Sequence, residues 1–426
     1  MKLTAIVSLG TLLEWAEYTF YGYMALKLSH IFFPDQEPYL ATMKTFGIFA
    51  LGYIMRPLGA LIFGLIGDKH GRKPALLYSM MLMGIATFLI GCLPGYEAWG
   101  IMAPASLLVL RMIQGIAVSG EYNGAGILIV EKDKNNLPCY AGSWISSSAA
   151  LGMVVGGLAA FIVSLPNMPE WAWRVPFWMG GVSCFLGLYL RKDISESEEF
   201  QNNAGNNTKA QHPIMTILKH HKASFLYVAA IAAFTGIFVY IMNIYAVAYL
   251  KQYAHIPTHH ANFFALFGEF IVFIFIPIMG LVADHGNPQK QYNWGLILIA
   301  VSSPFSFALL LTGNYFYITL TMILYGFLNG VVCGPMVKLM VDKFPPEIRY
   351  TGISVAWSVS VAIFSSVAPM VAHYLTSQMR WLIGPGFYVS SAAIIALIVI
   401  HLTTRQTSAS AKTMPYFKEE INVGNS

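Results

Sequence analysis

Charged residues are scarce in this sequence, since Asp, Glu, Lys and Arg together make up 11% of its 426 residues. A soluble domain carries about 25% charged residues, so this composition excludes a chain built only of soluble domains. Cysteine is also rare: there are four, each lies in or beside an apolar run, and none shows the spacing of metal ligands. Neither a disulfide framework nor a cysteine metal site is therefore the basis of the fold.

Motifs that would mark an enzyme or a nucleotide-driven pump are missing as well. The sequence contains no glycine-rich phosphate loop, no nucleophile triad and no cofactor motif, so we predict no cofactor, no metal and no enzymatic activity. The formal net charge is +5, but the basic residues are spread over alternate loops. Because they form no continuous basic face, we predict no nucleic-acid partner.

Twelve long apolar runs fill most of the chain, and 56% of all residues are hydrophobic. A helix needs about 20 mainly apolar residues to cross a hydrocarbon core of roughly 30 Å. The predicted spans are 4–30, 41–66, 74–95, 101–130, 140–165, 173–190, 223–250, 258–283, 292–311, 316–341, 351–375 and 382–402. The first run contains Glu14 and Glu17 and continues as a helix, so we interpret it as a span rather than a cleaved signal. We predict an all-α polytopic membrane protein with twelve transmembrane helices in a lipid bilayer.

One polar stretch divides the runs into two groups of six. The predicted domains are a six-helix bundle at 1–190, a linker at 191–222, a second six-helix bundle at 223–402 and a tail at 403–426. The end of the linker, residues 213–222, is compatible with a short surface helix. Basic residues are concentrated in the loops on the side of both termini, so the positive-inside rule predicts that the linker and both termini are cytoplasmic.

An internal repeat supports two similar halves. Segment 67–73 (Gly-Asp-Lys-His-Gly-Arg-Lys) follows the second span, and a related segment that begins at Gly280 and contains Asp284 follows the eighth. Likewise Tyr140-Ala141-Gly142 opens the fifth span, and Tyr350-Thr351-Gly352 opens the eleventh. Two halves in parallel orientation imply a pseudo-two-fold axis along the membrane normal, with a site between them at the midplane.

Segment 67–73 resembles the cytoplasmic signature of the major facilitator superfamily. Further motifs resemble its metabolite:proton symporters, the group that includes the bacterial proline/betaine carriers. These motifs are Glu14-Trp15-Ala16-Glu17, Arg56-Pro57, Arg111-Met112-Ile113-Gln114-Gly115, Gly120-Glu121, Trp173-Arg174-Val175-Pro176 and Arg349-Tyr350-Thr351-Gly352. The resemblance spans about residues 10–375 and implies two pseudo-symmetric six-helix bundles.

Three positions depart from the family pattern. Glu17 stands where the family usually has Asp, and Cys139 stands where an arginine is common after the fourth helix. The second-half loop keeps Asp284 but has Pro288 and Gln289 in place of an Arg-Lys pair. The long coiled-coil extension of some osmosensing members has no counterpart in this sequence, so we do not expect osmotic sensing.

The resemblance implies proton-coupled uptake of a small polar organic solute by alternating access, in a bacterial inner membrane and by a monomer. The solute class stays open between a zwitterionic amino acid, a betaine-like osmolyte and an organic carboxylate. One alternative is a proton-linked efflux carrier or a uniporter of a small metabolite. Another is a nutrient sensor that binds a solute without transporting it.

Ionisable residues inside the predicted spans are the candidates for the chemistry, because each costs at least about 2.5–3.5 kcal/mol in a bilayer. At a rise of about 1.5 Å per residue, Glu14, Glu17 and Arg111 lie near the midplane. We predict that Glu17 pairs with Arg111, as the resemblance also implies, and that this pair couples the proton to the solute. A purely structural ion pair is the alternative. Glu14 is either a second proton site or a packing partner.

Further candidates for the solute site lie near the same level. The predicted solute-binding residues are Arg111, Glu17, Tyr18, Tyr21, Glu269, Asn243 and Asn329. Glu269 either faces the cationic group of a zwitterion or pairs with a hydroxyl or backbone group. The two tyrosines either hold that cation on their rings or pack against neighbouring helices.

A separate group of charges lies at the predicted cytoplasmic ends of the helices. We predict that Asp68, Arg72, Glu131 and Asp284 form a latch that stabilises the outward-facing state. Asp68 is also expected near the start of the eleventh helix, whose positive N-terminus attracts a carboxylate.

Overall fold

The structure, a computed structural model, describes residues 2–34, 44–45, 47–48, 51–133, 135–163, 165, 167–191 and 213–413. Throughout these residues the regular elements are helical. We number the long helices α1 (Lys2–Tyr23), α2 (Leu51–His70), α3 (Arg72–Cys92), α4 (Met102–Glu131), α5 (Pro138–Val163), α6 (Arg174–Arg191), α7 (Lys222–Gln252), α8 (Thr258–Asp284), α9 (Pro288–Leu311), α10 (Tyr315–Val341), α11 (Arg349–Ser377) and α12 (Gly384–Thr413). Ten of them, all except α1 and α6, are both long and apolar enough to cross a membrane.

The twelve helices lie at the twelve predicted spans, so the predicted fold class is confirmed. The two exceptions in apolarity have a simple cause, since α1 carries Glu14 and Glu17 and α6 is only 18 residues long with an arginine at each end. A short helix, Ala25–Phe32, follows α1, and the expected surface helix is present at Pro213–His220.

Three details of the helices differ from the sequence-based expectation. The last helix, α12, continues to Thr413, past its predicted end at 402, and residues 414–426 of the predicted tail lie outside the described part. Two helices contain π-helical segments, Tyr240–Tyr245 in α7 and Val361–Ser365 in α11. The two segments are only six and five residues long, little more than one turn each, so the apolar pattern cannot reveal them, although such π-segments often occur at functional sites.

Small residues bring α2 and α4 into close contact within the first bundle. A methyl group added at Gly115 would overlap the backbone oxygen of Gly52, and one added at Gly59 would overlap the backbone of Ile116. Helices in lipid associate largely through such close packing, because lipid tails provide no hydrophobic drive to bring them together. This packing fixes α2 and α4, which carry five of the charged side chains described below, Arg56, Asp68, Arg111, Glu121 and Glu131.

The two halves meet through two equivalent pairs of helices. One is α2 against α11, and the other is α8 against α5. The predicted repeat relates α2 to α8 and α5 to α11, so the two contacts are copies of each other under the pseudo-two-fold axis. Odd-numbered helices begin and even-numbered helices end at one face of the bundle, which we call the latch face because it carries Asp68 and Asp284.

Candidate functional site

Asp68 joins the two halves at the latch face. Its carboxylate accepts hydrogen bonds from the backbone N–H groups of Tyr350 at 3.1 Å and Thr351 at 2.9 Å, in the first turn of α11. It also forms a salt bridge with Arg72, at 3.3 Å between Oδ1 and Nη1. Asp68 therefore lies at the start of α11, as predicted. The first turn of α11 supplies backbone N–H donors that would otherwise be unsatisfied.

Glu131, at the end of α4, lies between two arginines. Its Oε1 is 3.3 Å from Nη2 of Arg72 and 2.8 Å from Nη1 of Arg349 in the second half. Arg72 additionally donates to the backbone oxygen of Pro346 at 2.8 Å, so it too reaches the second half. Three predicted latch residues therefore form one buried charge network, and Arg349 completes it. The sequence contained a signal for this arginine, because Arg349 is the first residue of the Arg349-Tyr350-Thr351-Gly352 motif.

Asp284 makes the equivalent contact in reverse. Its two carboxylate oxygens accept from the backbone N–H groups of Cys139 at 2.8 Å and Tyr140 at 2.7 Å, at the start of α5. Within the described residues no arginine pairs with Asp284, since Cys139 occupies the position where an arginine is common. The second contact thus keeps the backbone hydrogen bonds of the first but lacks its ion pairs.

Glu17 lies in the interior of the first bundle and is 3% exposed. Its carboxylate accepts hydrogen bonds from the hydroxyl of Thr87 at 3.0 Å and the hydroxyl of Ser183 at 3.4 Å. Gln114 donates to Thr87 at 2.7 Å and accepts from Nη1 of Arg111 at 2.7 Å. A chain of donors therefore runs in one direction from the guanidinium of Arg111 to the carboxylate of Glu17, and each bond in such a chain polarises the next.

The expected direct pairing of Glu17 with Arg111 is thus corrected to an indirect one. Two polar side chains, Thr87 and Gln114, separate the charges, and depth along the helices cannot reveal such intermediates. Sequence reasoning missed both of them, although Gln114 is one helical turn from Arg111 and so faces the same side of α4. We call the set Glu17, Thr87, Gln114 and Arg111 the relay.

Arg111 itself is fully buried at the far end of the relay. Its guanidinium carbon is 4.1 Å from the centroid of the Tyr21 ring, and the Tyr21 hydroxyl donates to the backbone oxygen of Thr45 at 3.0 Å. Tyr21, predicted as a solute ligand, is 0% exposed and packs beneath the arginine. The side chain of Tyr18 lies outside the described part of the structure.

Three acidic residues line one small cavity inside the first bundle. Glu14 and Glu17 reach it from α1, and Glu121 reaches it from α4. The cavity has room for about one water molecule. Glu14 therefore shares its surroundings with Glu17, and the side chains of all three acidic residues border the same small space.

Glu269 is the centre of a second buried polar group, in the other half. Its Oε1 accepts from the amide of Asn243 at 2.7 Å and from the hydroxyl of Tyr325 at 2.9 Å. The amide of Asn329 lies 3.5 Å from that hydroxyl. Three predicted solute-site residues are brought together here, and Tyr325 is the member that the sequence reasoning missed. Asn243 belongs to the π-helical segment of α7 and lies 3.9 Å from the sulfur of Met153 on α5, across the interface between the halves.

Aromatic rings cross the centre of the molecule between the halves. Trp15 and Tyr122 meet edge to face at 6.1 Å, and Tyr122 stacks on Trp357 of the second half at 5.5 Å between ring centroids. The hydroxyl of Tyr122 is hydrogen-bonded to Ser146 at 2.9 Å. These contacts join the two halves at a level between the relay and the latch face.

Twelve helices in two related bundles, charge networks that bridge the halves at one face, and buried carboxylates near the midplane define a secondary transporter. Residues 18–369 match the family model described as Major Facilitator Superfamily. The chain belongs to this superfamily, so it is a transporter and not an enzyme.

Among curated relatives, the proline/betaine transporter of Salmonella typhimurium (strain LT2) is 30% identical, with 93% of this chain and 82% of that protein covered. The inner membrane metabolite transport protein YhjE of Escherichia coli (strain K12) is 32% identical, with 95% of each covered. The chain is accordingly a multi-pass membrane protein similar to transporters of small metabolites.

Solved structures show the same fold at lower identity. The proton:xylose symporter XylE bound to 6-bromo-6-deoxy-D-glucose superposes with a TM-score of 0.72 at 16% identity, over 93% of this chain and 94% of that one. The human organic anion transporter MFSD10 also gives a TM-score of 0.72, at 14% identity, over 94% of this chain and 99% of that one.

Proposed function

We propose that this protein takes up a small polar organic solute together with a proton, by alternating access. The solute class that best fits is a zwitterionic amino acid or a betaine-like osmolyte, as the names of several relatives suggest for those proteins. The observation that carries the proposal is the relay, which holds a carboxylate and a guanidinium in the membrane interior without letting them touch. A structural ion pair would gain most from direct contact, so the separation favours a working role for Glu17.

The relay provides a physical route for coupling. With Glu17 ionised, the hydroxyl of Thr87 donates to it, and the donor chain behind Thr87 is aligned with the charge of Arg111. A proton on Glu17 removes the negative end of this chain, so the charge of Arg111 is no longer balanced along the relay, which favours an anionic group on the solute. Because linkage is reciprocal, bound solute in turn favours the proton on Glu17. Glu14 and Glu121 line the same cavity as Glu17, and they pass the proton to and from Glu17.

The group around Glu269 is the proposed contact for the cationic part of the solute. Asn243 and Tyr325 both donate to the carboxylate and hold it in one position, Asn329 contacts the hydroxyl of Tyr325, and Met153 of the other half touches Asn243. A solute bound here therefore interacts with both halves, as a solute that drives their rocking must. The π-helical segment that carries Asn243 offers a backbone able to adjust when the halves move.

The buried charge network of Asp68, Arg72, Glu131 and Arg349, which we call the latch network, is the proposed stabiliser of the outward-facing state, together with Asp284. We propose that the latch face is cytoplasmic, with both termini and the 191–222 linker on that side, in the inner membrane of a bacterium. The moving bodies are then 1–190 and 223–402, with α12 continuing from the second body to Thr413, and a monomer is sufficient for the cycle. Reporter fusions after Ser426 and near Asn206 test the orientation, and a periplasmic signal from either would contradict it.

Reconstitution of the purified protein into liposomes tests the function itself. A thermal-shift screen of proline, glycine betaine, other amino acids and di- or tricarboxylates first identifies a solute, because a ligand at 100 times its dissociation constant adds about 2.7 kcal/mol to stability. An inward proton gradient should then drive accumulation of that solute above its external concentration. Binding without accumulation would support a sensor, and accumulation only with the reversed gradient would support an efflux carrier.

A further inference from the structure

Arg56 on α2 is a buried arginine that neither the latch network nor the relay uses. It is 4% exposed, and at about 1.5 Å per residue it lies about 20 Å from the latch face, level with Glu17 and Glu269. Its backbone oxygen accepts a hydrogen bond from the hydroxyl of Ser119 at 2.7 Å, which fixes α2 against α4 at this depth. An arginine stays charged in a protein, so a permanent positive charge is held at the midplane.

The guanidinium of Arg56 lies beside the boundary between the halves. Its central carbon is 4.1 Å from the centroid of the Tyr53 ring, one helical turn further from the latch face. The hydroxyl of Tyr53 is in hydrogen-bond contact with the hydroxyl of Tyr240 in the second half, and the rings meet edge to face at 6.0 Å. We call Tyr53 and Tyr240 the tyrosine gate, because this pair bridges the halves on the side of Arg56 that faces away from the latch.

The tyrosine gate also leads to the acidic group of the second half. Tyr240 is the first residue of the π-helical segment, and Asn243 in the same segment donates to Glu269. A positive charge on α2 and a negative charge on α8 are therefore connected through one adjustable backbone segment. Arg111 is placed differently, since it is fully buried inside the first bundle, over the ring of Tyr21 and against Gln114.

We propose that Arg56 binds the carboxylate of the solute, and that this binding draws the guanidinium from the Tyr53 ring and opens the tyrosine gate. The guanidinium fork matches a carboxylate in a bidentate geometry, and such charge-assisted hydrogen bonds are stronger than a contact with a ring face. This inference rests on the proposed function for the existence of a solute. It assigns the anionic end of that solute to Arg56 and leaves Arg111 to the proton relay.

A pair of probes that differ only in the anionic group tests the assignment. Glycine betaine carries a carboxylate, whereas choline has the same trimethylammonium group and a hydroxymethyl in its place; proline and prolinamide form a second pair. Binding is measured by thermal shift on the full-length protein. We expect the wild type to prefer the carboxylate partner by at least tenfold, Arg56→Lys to lose most of this preference, and Arg56→Gln to lose it completely.

Arg174→Lys is the matched control, since Arg174 is an arginine at the opposite face that donates to the backbone oxygens of Gly91 and Leu93. It should keep the preference. The proposal is overturned if Arg56→Gln, eluting as a folded protein, still prefers the carboxylate partner as the wild type does, or if no carboxylate compound binds the wild type. A failed proposed function shows differently, as binding without proton-driven accumulation.

Distance measurements across the face opposite the latch face test the tyrosine gate without any transport. Spin labels at Glu97→Cys and Gln252→Cys, in a Cys92→Ser background, lie in the two halves at exposed positions. Saturating glycine betaine should lengthen the distance in the wild type, choline should not, and Tyr53→Phe should lengthen it without any ligand. An identical distance distribution in Tyr53→Phe and the wild type would overturn the gating part of the proposal.

Discussion

Replacing Asp68 with asparagine should shift the balance between the two transport conformations far more than it changes solute affinity. The side chain keeps its size and one acceptor oxygen, but its second oxygen becomes an NH2 group that cannot accept from the α11 backbone. The variant therefore loses one of the charge-assisted bonds to Tyr350 and Thr351 and the charge opposite Arg72.

The size of this effect follows from the lost contacts. A hydrogen bond to a charged group contributes about 1.5–3 kcal/mol, and a carboxylate at a helix N-terminus adds about 0.3–1 kcal/mol. Together they give about 2–4 kcal/mol. Since each 1.4 kcal/mol is a factor of ten, the ratio of latched to open molecules should fall roughly 30- to 1,000-fold. Asp284→Asn should have a smaller effect, because Asp284 has the backbone bonds without an ion pair.

Double electron–electron resonance on the latch face measures this balance. Labels at His70→Cys and Lys290→Cys, in the Cys92→Ser background, occupy exposed positions in different halves. Asp68→Asn should move most of the population to a longer distance, with uptake impaired and solute affinity changed by only a few-fold. A variant that loses all binding but keeps the wild-type distance distribution would refute the role of Asp68 as a latch.

Two further predictions concern the solute group and the packing of the first bundle. Glu269→Gln should weaken binding of a cationic or zwitterionic solute by at least tenfold while leaving a purely anionic solute unaffected, and equal losses for both in a thermal-shift titration would contradict the assignment. Gly115→Ala should lower the midpoint of thermal unfolding and the yield of folded protein, because the new methyl group overlaps the backbone of Gly52. Gly47→Ala, where the methyl meets no other atom, should behave as the wild type, and an unchanged Gly115→Ala would show that α2 and α4 can separate.

The helices and the contact of Asp68 with the start of α11 were predictable because their signals are local in the sequence. Length and apolarity identify each span. The segment around Asp68 is repeated around Asp284, and these two aspartates identify the helix ends at which the halves meet. The attraction of a carboxylate to a helix N-terminus also predicts that Asp68 contacts the start of α11, just as Asp284 contacts the start of α5, which opens with the related Tyr140-Ala141-Gly142.

The interior contacts were less predictable because they depend on how each helix is rotated about its axis. Depth placed Glu17 near Arg111, but the intervening Thr87 and Gln114 come from two helices whose rotation is set by packing against glycines and by the tyrosine beneath Arg111. Tyr325 was missed for the same reason, as one tyrosine among 23. No sequence period marks the π-helical segment that directs Asn243 toward Glu269.

The central claim, that Glu17 carries the coupled proton, is tested most directly with Glu17→Gln in proteoliposomes. The glutamine keeps the size of the side chain and can still accept from Thr87, but it cannot gain or lose a proton. We expect accumulation driven by an imposed pH gradient to fall to the level of empty liposomes, while counterflow exchange persists, because exchange needs no net proton movement. Arg111→Ala should abolish accumulation as well, and Glu97→Gln, an exposed acidic residue outside the relay, should change neither accumulation nor exchange. If Glu17→Gln still concentrates the solute against its gradient, the coupled proton is carried elsewhere and the account is wrong.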